Sequence, residues 1–311
     1  MRVISCLNPQ HIINPYNHRS MSVACGKCEA CQNRHAFFWV KKLRNEQRSW
    51  RFCMFVTLSY DNDHLPTLHF DEVDDVAFDS RSGLRIPISN LITKDSKSNK
   101  YLFSRLRSQL GLPYCDTALI QKFHKRLNKY IHDNYTQKYQ NFRYFLATEI
   151  GGTTHRTHHH GLYFFNERQV ARDFTKILFA CWQNSYNREI GVKAEQVTGN
   201  ASSYVAQYIN CFHNLPAVYK NTQLRPRFYF SKSPSIGSLL PLDESIQELF
   251  SRCSPTRIEY NAKRNIYERV RIPFSLENRL YPRIAGFDKT DYSCILSSNG
   301  SKDPIDGDLL K

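Results

Sequence analysis

The sequence predicts an α+β domain, an antiparallel sheet carrying its helices on one face. Three observations predict it. Two apolar runs, residues 142–150 (FRYFLATEI) and 158–165 (HHHGLYFF), flank a segment opened by Gly151-Gly152 and read as paired strands. Before them, Leu119, Ile120, Phe123, Leu127, Tyr130 and Ile131 recur at helical spacing, with Lys122, Lys125, Arg126 and Lys129 on the other faces. The order strand, helix, strand, strand, helix, strand, helix then puts a hairpin in the middle, which requires antiparallel pairing.

Taken in order, residues 1–35 bear cysteines and turn formers, and a helix follows around residues 32–48. Residues 52–60 (FCMFVTLSY) read as a strand ended by the polar turn Asp61-Asn62-Asp63. Residues 67–116 carry Asp, Ser, Asn and Lys clusters and read as a long, irregular and partly mobile insertion. The amphipathic helix starts at Thr117, and the hairpin strands follow. A helix over 169–184, a short strand over 191–197 and a final helix over 201–212 complete the domain. Regular signals weaken after Arg225. A short amphipathic piece spans 242–251, and the last dozen or so residues read as disordered. The organisation expected is a cysteine-rich segment with its helix (1–50), a main domain (51–240) with the insertion 67–116, and a C-terminal extension (241–311).

Lys and Arg number 43 against 28 Asp and Glu, a formal net charge of +15. Such a charge concerns partners rather than fold, and favours a polyanion. With 20 Phe and 18 Tyr, nucleic acid fits better than an anionic membrane surface, because bases stack on rings while phosphates need cations. Met1 to Tyr16 contains no continuous apolar stretch of the kind that directs export. No apolar run approaches the roughly 20 residues that span a bilayer. Ten cysteines without an export signal point to thiols or metal ligands and a reducing cytoplasm.

His158 and His160 stand two apart on a predicted strand, so both point to one face and His159 to the other. Glu149 ends the preceding strand and can lie beside them. Two imidazoles and a carboxylate make a three-ligand set with open positions, as metal-assisted chemistry on a phosphodiester requires. An exposed polar face also accounts for the pair. The facial triad of non-haem iron oxygenases has the same ligands, but gives the basic charge and the tyrosines no role. Tyr204 and Tyr208, in SSYVAQYINCF, share a face of the last helix at i, i+4. They could serve one site in turn as covalent nucleophiles, or form a packing face.

Cys25, Cys28 and Cys31 form C-x2-C-x2-C, with Cys6 upstream. Four thiolates in a turn-rich segment suit tetrahedral zinc. His35 stands where an iron–sulfur run has its fourth ligand, which leaves a cluster as the alternative, beside unliganded thiols. A zinc site would pin the N-terminus and could present Lys27, Arg34, Lys41 and Lys42 to DNA. The remaining cysteines are scattered and read as packed.

Together these segments resemble the HUH endonucleases, in the form found in replication initiators of small single-stranded DNA phages (microviruses, the gokushovirus branch). The resemblance rests on FVTLSYDNDHLP (55–66), ATEIGGTTHRTHHHGLYF (147–164), SYVAQYI (203–209) and FSKSPSIG (230–237), and on the N-terminal CLNP and ACGKCEAC. It covers roughly residues 1–240. It implies a ferredoxin-like fold and metal-dependent nicking and rejoining at a rolling-circle origin through a 5′-phosphotyrosine. It implies Tyr204 and Tyr208 as nucleophiles and Glu149, His158 and His160 as ligands of Mg2+ or Mn2+. Single-stranded or supercoiled phage DNA would be the partner, with the host replication helicase and polymerase, in the cytoplasm of a bacterial host. The sequence departs from the family at Gln207, where a Lys or Arg is usual, and at Asn210, Cys211 and Phe212, where basic residues are frequent. A cation for the scissile phosphate must then come from elsewhere. The alternative function is a non-catalytic, zinc-dependent nucleic-acid-binding protein.

Overall fold

The computed structural model describes residues 6–13, 18–135, 142–152, 154–185, 191–197, 201–202, 205, 208, 215–221, 223–239, 256–261 and 266–271. The chain divides into two compact units, one of residues 1–37 with 52–230 and one of 38–51 with 231–311.

The first unit is built on a five-stranded antiparallel sheet. Its strands are β3 (Phe52–Ser59), β8 (Arg143–Ile150), β9 (Thr157–Phe165), β10 (Val192–Gln196) and β11 (Phe228–Phe230), in the spatial order β10-β3-β9-β8-β11. Helix α3 (Thr117–Asn134) joins β3 to β8, and α4 (Arg168–Trp182) joins β9 to β10. The first four strands therefore stand fourth, first, third, second, the ferredoxin-like arrangement with one strand added at the edge. The fold is α+β, as the sequence predicts.

The core lies between the sheet and the two helices. Met54, Val56 and Leu58 of β3 meet Ile120, Phe123 and Leu127 of α3 and Phe174, Ile177 and Trp182 of α4 in one buried cluster. Alternation along β3 sends these residues to the helices and leaves Phe55, Thr57 and Ser59 on the opposite face. Asp116 caps α3 by accepting from the backbone N–H of Ala118 at 2.8 Å. Gly161 lets β8 and β9 approach, since a Cβ there would lie 2.6 Å from the Phe145 carbonyl oxygen.

Residues 67–116 differ from expectation. They form β4 (Thr67–Asp71), β5 (Val76–Asp79) and β6 (Leu84–Pro87), helix α2 (Ser96–Leu106) and the two-residue β7 (Leu112–Pro113), in a sheet ordered β6-β5-β4-β7. These strands have two to five residues, too short for their alternation to stand out among the polar turns. A second buried cluster holds them together, through Leu68, Ile86, Leu102, Leu106 and Leu112, and joins them to Ile150 at the end of β8. The N-terminal segment contains a hairpin of β1 (Gln10–Ile13) and β2 (Ser20–Val23), with α1 (Glu29–Arg48) after it.

In the second unit the segment 231–239 docks on residues 38–51. Gly237 N–H donates to Glu46 Oε2 at 2.7 Å, and Asn45 Nδ2 donates to the carbonyls of Gly237 and Leu239. Gly237 has φ +76°, and a Cβ there would meet Lys42 Cα at 2.7 Å. Lys42 Nζ lies 4.9 Å above the rings of Phe38 and Trp39. A hairpin of β12 (Thr256–Asn261) and β13 (Ile266–Arg271) follows, where the sequence predicts no regular element. The amphipathic piece at 242–251 and the C-terminal tail lie outside the described residues.

Candidate metal centre and its tyrosine

Register brings the site together. In the β8–β9 hairpin Glu149 stands opposite His158, and in the β3–β9 pair Thr57 stands opposite His160. Glu149, His158 and His160 therefore meet on the face that α3 and α4 do not cover. Glu149 Oε2 lies 3.0 Å from His158 Nε2 and 3.4 Å from His160 Nε2. One ion bound at roughly 2.1 Å from each atom needs separations of about 3.0 Å at right angles and about 3.4 Å at the tetrahedral angle. The three side chains fit a divalent ion without rearrangement, and they form one of two groups among the described residues that could hold a metal. Their side chains are 24%, 25% and 12% exposed, so the site opens to solvent on one side.

The distal ring nitrogens are held as metal-ligating histidines require. His158 Nδ1 lies 3.2 Å from the Arg156 carbonyl, and His160 Nδ1 lies 3.1 Å from Thr57 Oγ1. Arg156 is itself fixed through the Tyr60 carbonyl at 2.8 Å and Asn62 Oδ1 at 2.6 Å. These three supports, Thr57, Arg156 and Asn62, have no signal of their own in the sequence. Glu149 is held down to about 2, first by its hydrogen bond with His158 and then by that with His160. Burial opposes the charged form of His158, but the hydrogen bond and charge of Glu149 outweigh it, so its pKa lies above the ordinary value.

Tyr208 joins this group. Its ring stacks on His160 with centroids 4.4 Å apart and planes 16° apart, while Phe55 lies on His160 at 5.9 Å and 11°. Ala201, Ser202 and Val205 are helical, and Ser202 and Val205 are fully buried. Tyr204 and the remainder of the expected helix lie outside the described residues.

His159 takes the other face, as the strand period predicts. It is fully buried, with Nε2 2.9 Å from Tyr60 Oη and Nδ1 3.0 Å from Thr148 Oγ1. Burial holds it neutral.

The second group is Cys6, Cys25, Cys28 and Cys31, all four sulfurs within 4.8 Å of one another. Cys6 Sγ lies 3.8 Å from Cys28 Sγ, and Cys25 Sγ lies 4.0 Å from Cys31 Sγ. The edge of a tetrahedron with Zn–S bonds of about 2.3 Å is about 3.8 Å. Backbone N–H groups of Lys27 and Cys28 donate to Cys25 Sγ, and that of Cys25 to Cys6 Sγ. Such donors stabilise thiolates. Those of Cys31 and Leu7 bring Cys28 down to about 6. Cys6, and not His35, completes the set. Cys53, Cys115 and Cys181 are buried and free, as expected of packed thiols.

Residues 112–212 match the family model of replication-associated proteins of the ORF2 and gene-2-protein type. The match runs from β7 to the tyrosine segment and includes both hairpin strands. No curated protein and no solved structure matches the chain. No helix among the described residues is long and apolar enough to cross a membrane.

Proposed function

We propose that this protein initiates rolling-circle replication of a single-stranded DNA phage by nicking and rejoining one strand at the origin. The observation that carries the reading is the phenol of Tyr208 against His160, beside a three-ligand group with an open side. The similarity to replication-associated proteins over 112–212 and the charge of +15 support it.

On this reading Glu149, His158 and His160 hold Mg2+ or Mn2+. Mixed oxygen and imidazole donors suit Mn2+, while Mg2+ prefers oxygen. The bound ion supplies Lewis-acid polarisation of a non-bridging phosphate oxygen. Thr57 and the Arg156 carbonyl keep both imidazoles oriented. Tyr208 Oη attacks phosphorus, the P–O3′ bond breaks, and the strand leaves with a free 3′-hydroxyl while its 5′-phosphate stays on the tyrosine. Tyr204 performs the second transfer, which a terminating reaction needs. Cys6, Cys25, Cys28 and Cys31 hold a structural Zn2+. The protein works in the cytoplasm of the bacterial host, where the host helicase and polymerase extend the 3′ end.

The test uses labelled single-stranded oligonucleotides tiled across the phage origin, with Mn2+ or Mg2+. Wild-type protein should form a covalent 5′ adduct on one of them, and peptide mass should locate it on Tyr204 or Tyr208. An adduct that persisted in the Tyr204→Phe/Tyr208→Phe protein would exclude the assignment. Binding without cleavage, unchanged in His158→Ala and His160→Ala, would favour the non-catalytic nucleic-acid-binding alternative.

A further inference from the structure

The insertion 67–116 reaches the metal site through the turn of the β8–β9 hairpin. Ile150, one residue after Glu149, is buried in the insertion's own core with Leu102 and Leu106 of α2. Thr157, at the start of β9, donates to the Tyr114 carbonyl at 3.1 Å. Leu102 and Leu106 face inward, so the i, i+4 pair Tyr101 and Arg105 occupies a neighbouring stripe of α2. The Tyr101 ring meets the His155 ring edge-on at 5.0 Å, and Tyr101 Oη lies 3.5 Å from Tyr219 Oη.

His155 belongs to the turn that positions a candidate ligand. It sits at φ +55°, and its N–H donates to the Gly151 carbonyl at 2.9 Å. Gly151 in turn stands against His158, with an added Cβ 3.6 Å from His158 Cε1. Two nitrogens of this cluster, Arg105 Nε and His155 Nδ1, are buried without a hydrogen-bond partner among the described residues. Burial and the nearby charge of Arg105 both disfavour the protonated form of His155. An Arg nitrogen left buried and unpaired is costly, and in a native site it calls for an absent acceptor. Lys97 and Lys100 of α2 and Arg107 at its C-cap are exposed and basic, and no acidic residue lies within the helix.

We propose that Arg105, backed by Tyr101 and His155, binds a backbone phosphate of the DNA strand entering the metal site. The cation that the tyrosine segment lacks at Gln207 would thus be supplied, for positioning rather than for chemistry, by the insertion. This inference rests on the reading of the protein as a DNA nickase. A guanidinium fits the task because its planar donors match phosphate oxygens, and neither Tyr101 nor His155 competes with it for the anion's charge.

The experiment measures binding of a fluorescent single-stranded oligonucleotide to the full-length, metal-chelated protein at several salt concentrations. Arg105→Gln should weaken binding about tenfold. It should also reduce the slope of log K against log salt by about 0.7, the loss of one phosphate contact on a single strand. Arg105→Lys should recover the slope and part of the affinity. Thermal melting of each variant separates lost contact from lost fold, and Lys97→Ala reports the effect of removing an exposed charge of the same helix. Wild-type binding with an unchanged slope in folded Arg105→Gln would overturn this inference alone. A wild-type protein that did not bind single-stranded DNA would overturn it together with the nickase reading.

Discussion

Three consecutive histidines on β9 face two different worlds. His158 and His160 converge on Glu149 at a face open to solvent, whereas His159 is fully buried between Tyr60 and Thr148. The residue type is the same and the strand is the same. What differs is the backing, since α3 and α4 seal one face of the sheet and leave the other for ligands. An imidazole against water and a carboxylate can exchange its proton for a metal. An imidazole in the core can only hold its neighbours in place.

The largest expected effect lies on the open face. His160→Ala should lower origin cleavage by at least about 10³-fold, the scale on which electrostatic stabilisation of a developing charge acts. The melting temperature should barely move. Cleavage retained at near wild-type rate, measured with labelled origin DNA, would mean that this face does not carry the chemistry.

On the sealed face the same substitution should do the opposite. His159→Ala opens a cavity and strands Tyr60 Oη and Thr148 Oγ1, which should cost about 3 kcal/mol in urea unfolding. Full stability with abolished cleavage would erase the distinction between the faces.

A fourth histidine extends the dry side. His124 of α3 is buried, with Nε2 3.0 Å from Tyr163 Oη, its ring stacked on Tyr144 at 3.7 Å, and burial lowers it to about 3. The unfolded chain takes up this proton near pH 6.5 and the folded one only near 3. The folded state is therefore unaffected by His124 above pH 6.5 and loses stability as the pH falls from there. The loss is about 1.4 kcal/mol per unit, or about 2 kcal/mol at pH 5. His124→Gln should flatten that limb when unfolding is compared at about pH 7 and about pH 5.

The smallest effect expected returns to the open face. Thr57→Val removes the partner of His160 Nδ1 without touching a ligand. Metal affinity, titrated calorimetrically with Mn2+, should fall about tenfold. An unchanged affinity would show that packing of Phe55 and Tyr208 alone orients the ring.

Much of this is legible in the sequence. The alternation of HHH and the apolar runs around Gly151-Gly152 are enough to divide the three histidines between faces and to pair Glu149 with two of them. Helix α3 announces itself through apolar spacing. The insertion does not, because strands of two to five residues carry almost no period, and their burial comes from one another and from Ile150. The hairpin 256–271 escapes notice in the same way. Cys6 can be grouped with the C-x2-C-x2-C run by residue type, but only the loop's closure decides between it and His35.

Sequence alone determined the α+β class, the hairpin, the two metal-capable groups and the chemical character of the expected partner. Those follow from periodicity, residue type and charge, which are local. Tertiary structure decided that Thr57, on a strand roughly a hundred residues away, orients His160, that Tyr208 lies on the same ring, and that Arg105 of the insertion sits at the hairpin turn. These depend on strand order and register, which bring distant residues within hydrogen-bonding or van der Waals reach, and no local pattern encodes that.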